Sequence, residues 1–160
     1  MRIGQGFDAH RFCGELGAFD IPLGGINVPC DRLVEAHSDG DVLLHSLCDA
    51  LLGSLALGDI GFRFPDTDVK YADINSVSLL ESTMALVGQN DHVVCNVDLT
   101  LVAEKPRIAS YVEPMRRVIS DVLDVSFNEV SIKATTTEGM GFIGREEGLG
   151  AIAVVLVDRR

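Results

Sequence analysis

The sequence predicts an α+β fold in a single domain, a mixed β-sheet packed with helices, and three observations carry that reading. Stretches in which apolar and polar residues alternate are interleaved with stretches of helical periodicity. The first strand-like stretches lie close enough to pair locally and antiparallel. No repeat, low-complexity segment or linker divides the 160 residues, and that length suits one domain, residues 1–160, burying about two thirds of its unfolded surface without disulfides.

Taken in order, Ile3 to His10 reads as a strand ending in polar residues, and Ile21 to Val28 as a short strand pair around Gly24-Gly25. From Asp41 to Leu57, the residues Val42, Leu44, Leu47, Cys48, Leu51, Leu52 and Leu55 recur at helical spacing and predict a mostly buried helix, which Ser38 or Asp39 is able to cap. GDIGFRFPDTD, residues 58–68, reads as a loop, and Ile74 to Val87 as a second amphipathic helix stopped near Gly88. In VVCNVDLTLVAE, Val93, Cys95, Val97, Leu99, Leu101 and Ala103 alternate with Asn96, Asp98, Thr100 and Glu104, as in a strand with one wetter face. Glu113 to Leu123 is a third helix with Pro114 tolerated in its first turn. Val130 to Thr135 and Leu149 to Val157 are strands; the near-continuous apolar run of the second predicts burial on both faces. TTTEGMGFIGREEG between them is a loop.

Composition narrows the class of partner. A net charge of −11 argues against nucleic acid, whose binding depends on Lys and Arg neutralising phosphates. The chain opens on MRIGQGFDAH, without a basic stretch and apolar signal core, and no run of 18 apolar residues follows. Cys13, Cys30, Cys48 and Cys95 show no C-x-x-C spacing and fall in apolar segments, as reduced thiols do. A cytoplasmic protein without a membrane segment is expected.

Three of the four histidines, His10, His37 and His45, fall in two short motifs, GFDAH and HSDGDVLLH. Asp8 and His10 are two apart on a strand and point to the same side. With His45 from a helix, one turn beyond Asp41, they make a His₂-carboxylate set that suits Zn²⁺ with a fourth position open to substrate. His37, eight residues before His45, is placed to face a substrate phosphate as a donor rather than to share that ion. Asp59, Asp66 and Asp68 in the Gly/Pro-rich loop could accept hydrogen bonds from substrate hydroxyls. In KATTTEGMGFIGR, hydroxyls and turn amides suit phosphate oxygens, and Glu138 suits a divalent ion bridging them.

Four motifs, G-x-G-F-D-x-H, A-H-S-D-G-D-x-x-x-H, G-D-I-G-x-x-F-P-D-T-D and K-A-T-T-T-E-x-x-G-F-x-G-R, resemble in order and separation those of the 2-C-methyl-D-erythritol 2,4-cyclodiphosphate synthase family, over Arg2 to about Val157. The resemblance implies an enzyme of non-mevalonate isoprenoid synthesis that cyclises 4-diphosphocytidyl-2-C-methyl-D-erythritol 2-phosphate and releases CMP. It implies Zn²⁺ on Asp8, His10 and His45, transition-state stabilisation by His37 and Thr136, and Mg²⁺ or Mn²⁺ on Glu138 with the diphosphate. Asp59, Ile60, Gly61 and the loop Phe64, Pro65, Asp66, Thr67 and Asp68 would contact the methylerythritol portion. AEKPRIA, that is Ala103, Glu104, Lys105, Pro106, Arg107, Ile108 and Ala109, would form much of the cytosine pocket. Ala9, Ser38, Thr135, Thr137, Phe142 and Arg145 would complete the substrate contacts.

The same resemblance implies a homotrimer with sheets toward the central axis and active sites between subunits. Gln5 stands where some relatives carry histidine, and Ile152 where some carry a glutamate facing a central cavity that takes isoprenoid diphosphates; Phe7 and Arg145 of that region remain. Two other readings have distinct signatures. A metal-dependent phosphohydrolase would release inorganic phosphate, and a trimeric isoprenoid-binding module with structural zinc would need a fourth protein ligand.

Overall fold

In a computed structural model, which describes residues 1–65 and 74–160, the chain forms β1 (Arg2–Cys13), β2 (Phe19–Leu23), β3 (Ile26–Cys30), β4 (Leu33–Glu35), α1 (Val42–Ser54), α2 (Ile60–Arg63), α3 (Ser76–Gln89), β5 (His92–Val102), α4 (Val112–Leu123), β6 (Val130–Thr135), α5 (Gly141–Gly144) and β7 (Gly148–Arg159). One five-stranded sheet runs in the order β4-β1-β7-β5-β6, and β2-β3 forms a separate hairpin. Only β5 and β6 pair in parallel, so the sheet is mixed and the fold is α+β.

The core lies between one face of the sheet and its helices. Leu43, Leu44, Leu47, Leu51 and Leu52 of α1 are fully buried, each side chain stabilising the fold by about 1.5–3 kcal/mol. What lets α1 settle so closely is the absence of side chains beneath it. A Cβ at Gly4 would lie 1.9 Å from the Ala50 carbonyl oxygen, and one at Gly6 2.0 Å from that of Ser46. Strand and helix therefore meet main chain to main chain.

The cap of α1 is Asp41, not Ser38 or Asp39. Its carboxylate accepts the Leu44 amide at 3.1 Å and also the amides of Gly24 and Gly25 at 2.9 and 2.7 Å. Both glycines have positive φ, 60° and 81°, the geometry of a two-residue hairpin turn that no β-branched or bulky residue tolerates. One fully buried carboxylate thus ties the β2-β3 turn to the helix start. Burial pushes its carboxyl above the usual range while the three amide donors pull it the other way.

Several boundaries differ from expectation for local reasons. The helix α1 stops at Ser54, because Ala56 turns left-handed at φ 57°; α3 runs through Gly88 to Gln89. The two Gly-rich loops each contain a short helix, α2 and α5. In β5 a bulge between Val94 and Asn96 shifts the alternation, so Val94 faces the core and Val93 and Cys95 turn away from it. Residues Val97, Leu99 and Leu101 keep the expected face.

The largest departure concerns β7. Leu149, Ala151, Ala153, Val155 and Val157 are buried, but Ile152 and Val154 on its other face are 38% and 42% exposed. Register brings Phe7 opposite Ile152 and Gln5 opposite Val154, and Ile3 and Phe7 are exposed beside them. Among the described residues, cover on this second face is confined to its start, where Ile143 and Phe7 lie over Gly150, and Ile152 and Val154 stay exposed. An apolar run reads the same in sequence whether its own chain or a partner covers it. No helix among the described residues is long and apolar enough to cross a membrane.

Candidate active site

Strand alternation puts Gly4, Gly6, Asp8 and His10 on the face of β1 that carries α1, and the glycines bring α1 close enough for His45 to reach the two ligands beyond them. The Asp8 Oδ2, His10 Nε2 and His45 Nδ1 atoms form a triangle with edges of 3.1, 3.1 and 2.9 Å. Tetrahedral zinc, with bonds of about 2.0–2.1 Å, sets its ligand atoms roughly 3.3 Å apart, so the triangle fits such an ion with one position left over. Among the described residues no other cluster of three or more His, Cys, Asp or Glu side chains is placed to hold a metal.

The electrostatics suit a cation. Burial alone would raise the Asp8 pKa, but the hydrogen bonds and charges of His10 and His45 hold it well below the usual carboxylate range. Burial opposes a charge on His45, yet the Asp8 hydrogen bond and the charges of Asp8, Asp41 and Asp39 raise its pKa above the ordinary histidine value. Metal must displace a proton from His45, so affinity falls as pH drops below that raised pKa. Calorimetric zinc titrations of metal-free protein should give weaker binding at about pH 6 than at about pH 8, with heats that depend on the buffer. Equal affinity at both would remove His45 from the ligand set.

The triangle opens into a cavity of about 190 Å³ that is also lined by Ala36, His37, Ser38, Ile60, Gly61, Phe64, Ile74 and Leu79. Of the residues assigned to the methylerythritol portion, Ile60, Gly61 and Phe64 line this cavity beside the metal position. Asp59 stands at the edge and uses Oδ1 to cap α2 through the Phe62 amide at 2.8 Å. Pro65 ends the described segment, and Asp66, Thr67 and Asp68 lie outside the described residues. The cavity is below the roughly 300–1,000 Å³ of pockets that enclose a drug-sized ligand, too small for a nucleotide-linked substrate.

The remaining site residues contribute nothing to this cavity. Thr135, Thr136 and Glu138 are exposed at the C-terminal end of β6. There the Thr136 hydroxyl donates to Glu138 Oε1 at 3.2 Å and accepts the Glu138 amide at 3.3 Å. The Glu104 Oε1 accepts the amides of Thr137 and Gly139 at 3.1 and 3.2 Å, which holds the turn with Glu138 left-handed at φ 54°. Glu104 is thus a strut of this turn as well as part of the Ala103–Ala109 segment. Lys105 pairs with Asp31 at 3.0 Å, Arg145 with Glu147 at 2.6 Å, and Phe142 is 44% exposed. Register sets Ala9 opposite Gly150, Gly150 opposite Val102 and Val102 opposite Thr135. The two halves share one end of the sheet but stand three strand spacings apart, about 14 Å.

Three residues that sequence reasoning passed over belong to the metal half. Asp49, one turn beyond His45, accepts the Ile60 amide at 2.8 Å and seats α2 over the cavity; burial, with Asp59 and Asp8 nearby, raises its pKa. Asp39 and Ser76 stand behind His45. Helical spacing from His45 could have pointed to Asp49. Nothing local points to Ser76.

The profile of the YgbB family matches residues 1–158. The 2-C-methyl-D-erythritol 2,4-cyclodiphosphate synthase of Cellvibrio japonicus is 52% identical over 160 residues, covering 100% of this chain and 99% of that protein. Its namesake in Pseudomonas aeruginosa is 52% identical over 160 residues, covering 100% of both. Among solved structures, the bifunctional IspDF from Campylobacter jejuni matches 99% of this chain at 39% identity and a TM-score of 0.91, and this chain spans 42% of that larger one. The CDP complex of IspF from Plasmodium falciparum matches 99% of this chain, and 96% of its own, at 32% identity and a TM-score of 0.86. Alike in sequence and backbone from end to end, this chain belongs to the YgbB family.

Proposed function

We propose that the protein is a cyclising phosphorus–oxygen lyase that converts 4-diphosphocytidyl-2-C-methyl-D-erythritol 2-phosphate into 2-C-methyl-D-erythritol 2,4-cyclodiphosphate and CMP, in non-mevalonate isoprenoid precursor synthesis. The observation that carries this reading is the Asp8, His10 and His45 triangle opening on a cavity, in a chain 52% identical throughout to a cyclodiphosphate synthase. A CDP complex of a 32% identical structure agrees with a cytidine diphosphate-linked substrate.

In this reaction an oxygen of the 2-phosphate attacks the β-phosphorus. The bond from that phosphorus to the oxygen bridging to the α-phosphate breaks, and that oxygen leaves with CMP. Neither water nor a side-chain nucleophile takes part, so the chain acts by positioning and by stabilising charge. Asp8, His10 and His45 hold Zn²⁺, and Glu138 holds Mg²⁺ or Mn²⁺ with the diphosphate. When bound, these cations offset the repulsion between two phosphates brought together in a chain of net charge −11. His37 and Thr136 donate to phosphate oxygens as charge develops there. Ala9, Ser38, Asp59, Ile60, Gly61 and the loop from Phe64 to Asp68 hold the methylerythritol portion. The Ala103–Ala109 segment takes the cytosine, while Thr135, Thr137, Phe142 and Arg145 complete the phosphate and nucleotide side.

The separation of the two halves supports an active site between subunits, the metal half from one chain and the nucleotide half from its neighbour. The exposed strip of Ile3, Phe7, Ile152 and Val154 supports a homotrimer with this sheet face toward the axis, since a contiguous apolar patch marks an interaction surface. The four cysteines are unpaired, in keeping with a cytoplasmic location.

Mass spectrometry of the products from the cytidyl substrate tests the reaction. Cyclic diphosphate with CMP is expected; inorganic phosphate in its place would favour a phosphohydrolase. Glu138→Gln should raise the Mg²⁺ or Mn²⁺ concentration needed for half-maximal rate about tenfold or more while zinc stays stoichiometric, because one carboxylate of a phosphate-bridging site is lost. Equal loss of zinc would mean a single shared metal site.

A further inference from the structure

We infer that Asp39 and Ser76 are positioning residues for the metal site: the pair holds the His45 ring with a proton on Nε2, so that Nδ1, aimed at the Asp8–His10 pair, is the nitrogen that gives up its hydrogen when the cation binds. The inference rests on reading Asp8, His10 and His45 as metal ligands.

It follows from a count of protons. A carboxylate only accepts, and a serine hydroxyl has one hydrogen to give. The Ser76 amide donates to Asp39 Oδ2 at 2.9 Å, and the Ser76 hydroxyl donates to Asp39 Oδ1. With its hydrogen committed there, the Ser76 oxygen can only accept from its other neighbour, His45 Nε2, at 3.0 Å. That nitrogen must therefore carry a hydrogen. Ser38 Oγ lies 3.1 Å from the same nitrogen and accepts the Gly40 amide at 3.3 Å, but among the described residues no carboxylate fixes its hydrogen.

The opposite tautomer would set the lone pairs of Ser76 Oγ and His45 Nε2 against each other. Ser76 is fully buried and His45 is 5% exposed, so water would not relieve that contact, and an unmet buried polar group is costly. With Nε2–H fixed, Nδ1 is the nitrogen left to meet a cation, 3.1 Å from Asp8 Oδ2 and 2.9 Å from His10 Nε2, and any hydrogen it gives to Asp8 is the one that cation displaces. Partners of this kind, behind a ligating histidine, set its tautomer and orientation, and losing one weakens metal affinity about 10–100-fold. The hydroxyl arrives on the first residue of α3, 31 positions after His45, so the ligand's state depends on how two helices meet.

The test measures zinc affinity by chelator competition in the full chain. Ser76→Ala should weaken zinc binding about 10–100-fold, and Ser38→Ala should weaken it less. Histidine ¹⁵N spectra of zinc-loaded wild type should show the His45 proton on Nε2 and none on Nδ1. Wild type that takes up no zinc would overturn the metal reading and this inference with it. Stoichiometric zinc in wild type, with Ser76→Ala unchanged, with Ser38→Ala equally weakened, or with the proton found on Nδ1, would overturn the role of the pair alone.

Discussion

Replacing His45 with alanine is expected to remove most of the bound zinc and to slow formation of the cyclic diphosphate by about a thousandfold or more. A bound cation supplies several kcal/mol of charge stabilisation to a phosphoryl transfer, and each 1.36 kcal/mol is tenfold in rate. The two remaining ligands, Asp8 and His10, would leave an open pair where the triangle now has edges near 3 Å. Metal analysis beside single-turnover assays checks the result. Because His45 is buried against Ser38 and Ser76, alanine also takes one partner from each of two hydroxyls, and the more accessible His10→Ala controls for that. Stoichiometric zinc in either variant would remove that histidine from the ligand set.

Activity restored from two inactive proteins is the second large effect expected. His45→Ala damages the metal half and Glu138→Ala the phosphate half, which stand about 14 Å apart within one chain. In a closed ring with head-to-tail interfaces, unlike halves of adjacent chains meet. Once subunits exchange, a Glu138→Ala chain lends its intact metal half to the intact nucleotide half of a His45→Ala neighbour, and that site is wild type. Activity should rise from background to a sizeable fraction of wild type as mixed assemblies form. Mixed assemblies verified by mass that stay inactive would show that both halves come from one chain.

How much of this was legible in the sequence depended on how local each feature is. Asp8 and His10 share a side because a strand has period two, so that pair could be read directly; the helical turn from Asp41 says nothing of where His45 meets them, which Gly4 and Gly6 decide. The α1 cap could not be read directly either. Ser38, Asp39 and Asp41 all satisfy the local rule, and only the Gly24-Gly25 turn, brought in from another element, selects Asp41. Ser76 was missed for the same reason, since it looks like an ordinary helix start until Asp39 and His45 are seen against it. The bulge in β5 reversed the faces of Val93 and Val94 with no Gly or Pro to announce it. The Gly-rich turn around Glu138 was expected from its composition, but the strut from Glu104 that holds it joins segments 33 positions apart.

The contact between β1 and α1 through Gly4 and Gly6 has a bearing on which ion the protein accepts. Elsewhere a ligand strand and a ligand helix are separated by side chains that can change rotamer and let the gap breathe. Here peptide meets peptide, so the separation of the two backbones that carry Asp8 and His45 is at its van der Waals limit and cannot shrink further. A jaw of that stiffness discriminates by size. It closes well on a small ion with bonds of about 2.0–2.1 Å and poorly on Ca²⁺, which asks for six to eight oxygens at about 2.3–2.6 Å. Selectivity at the proposed metal site would therefore rest partly on two residues that have no side chain at all.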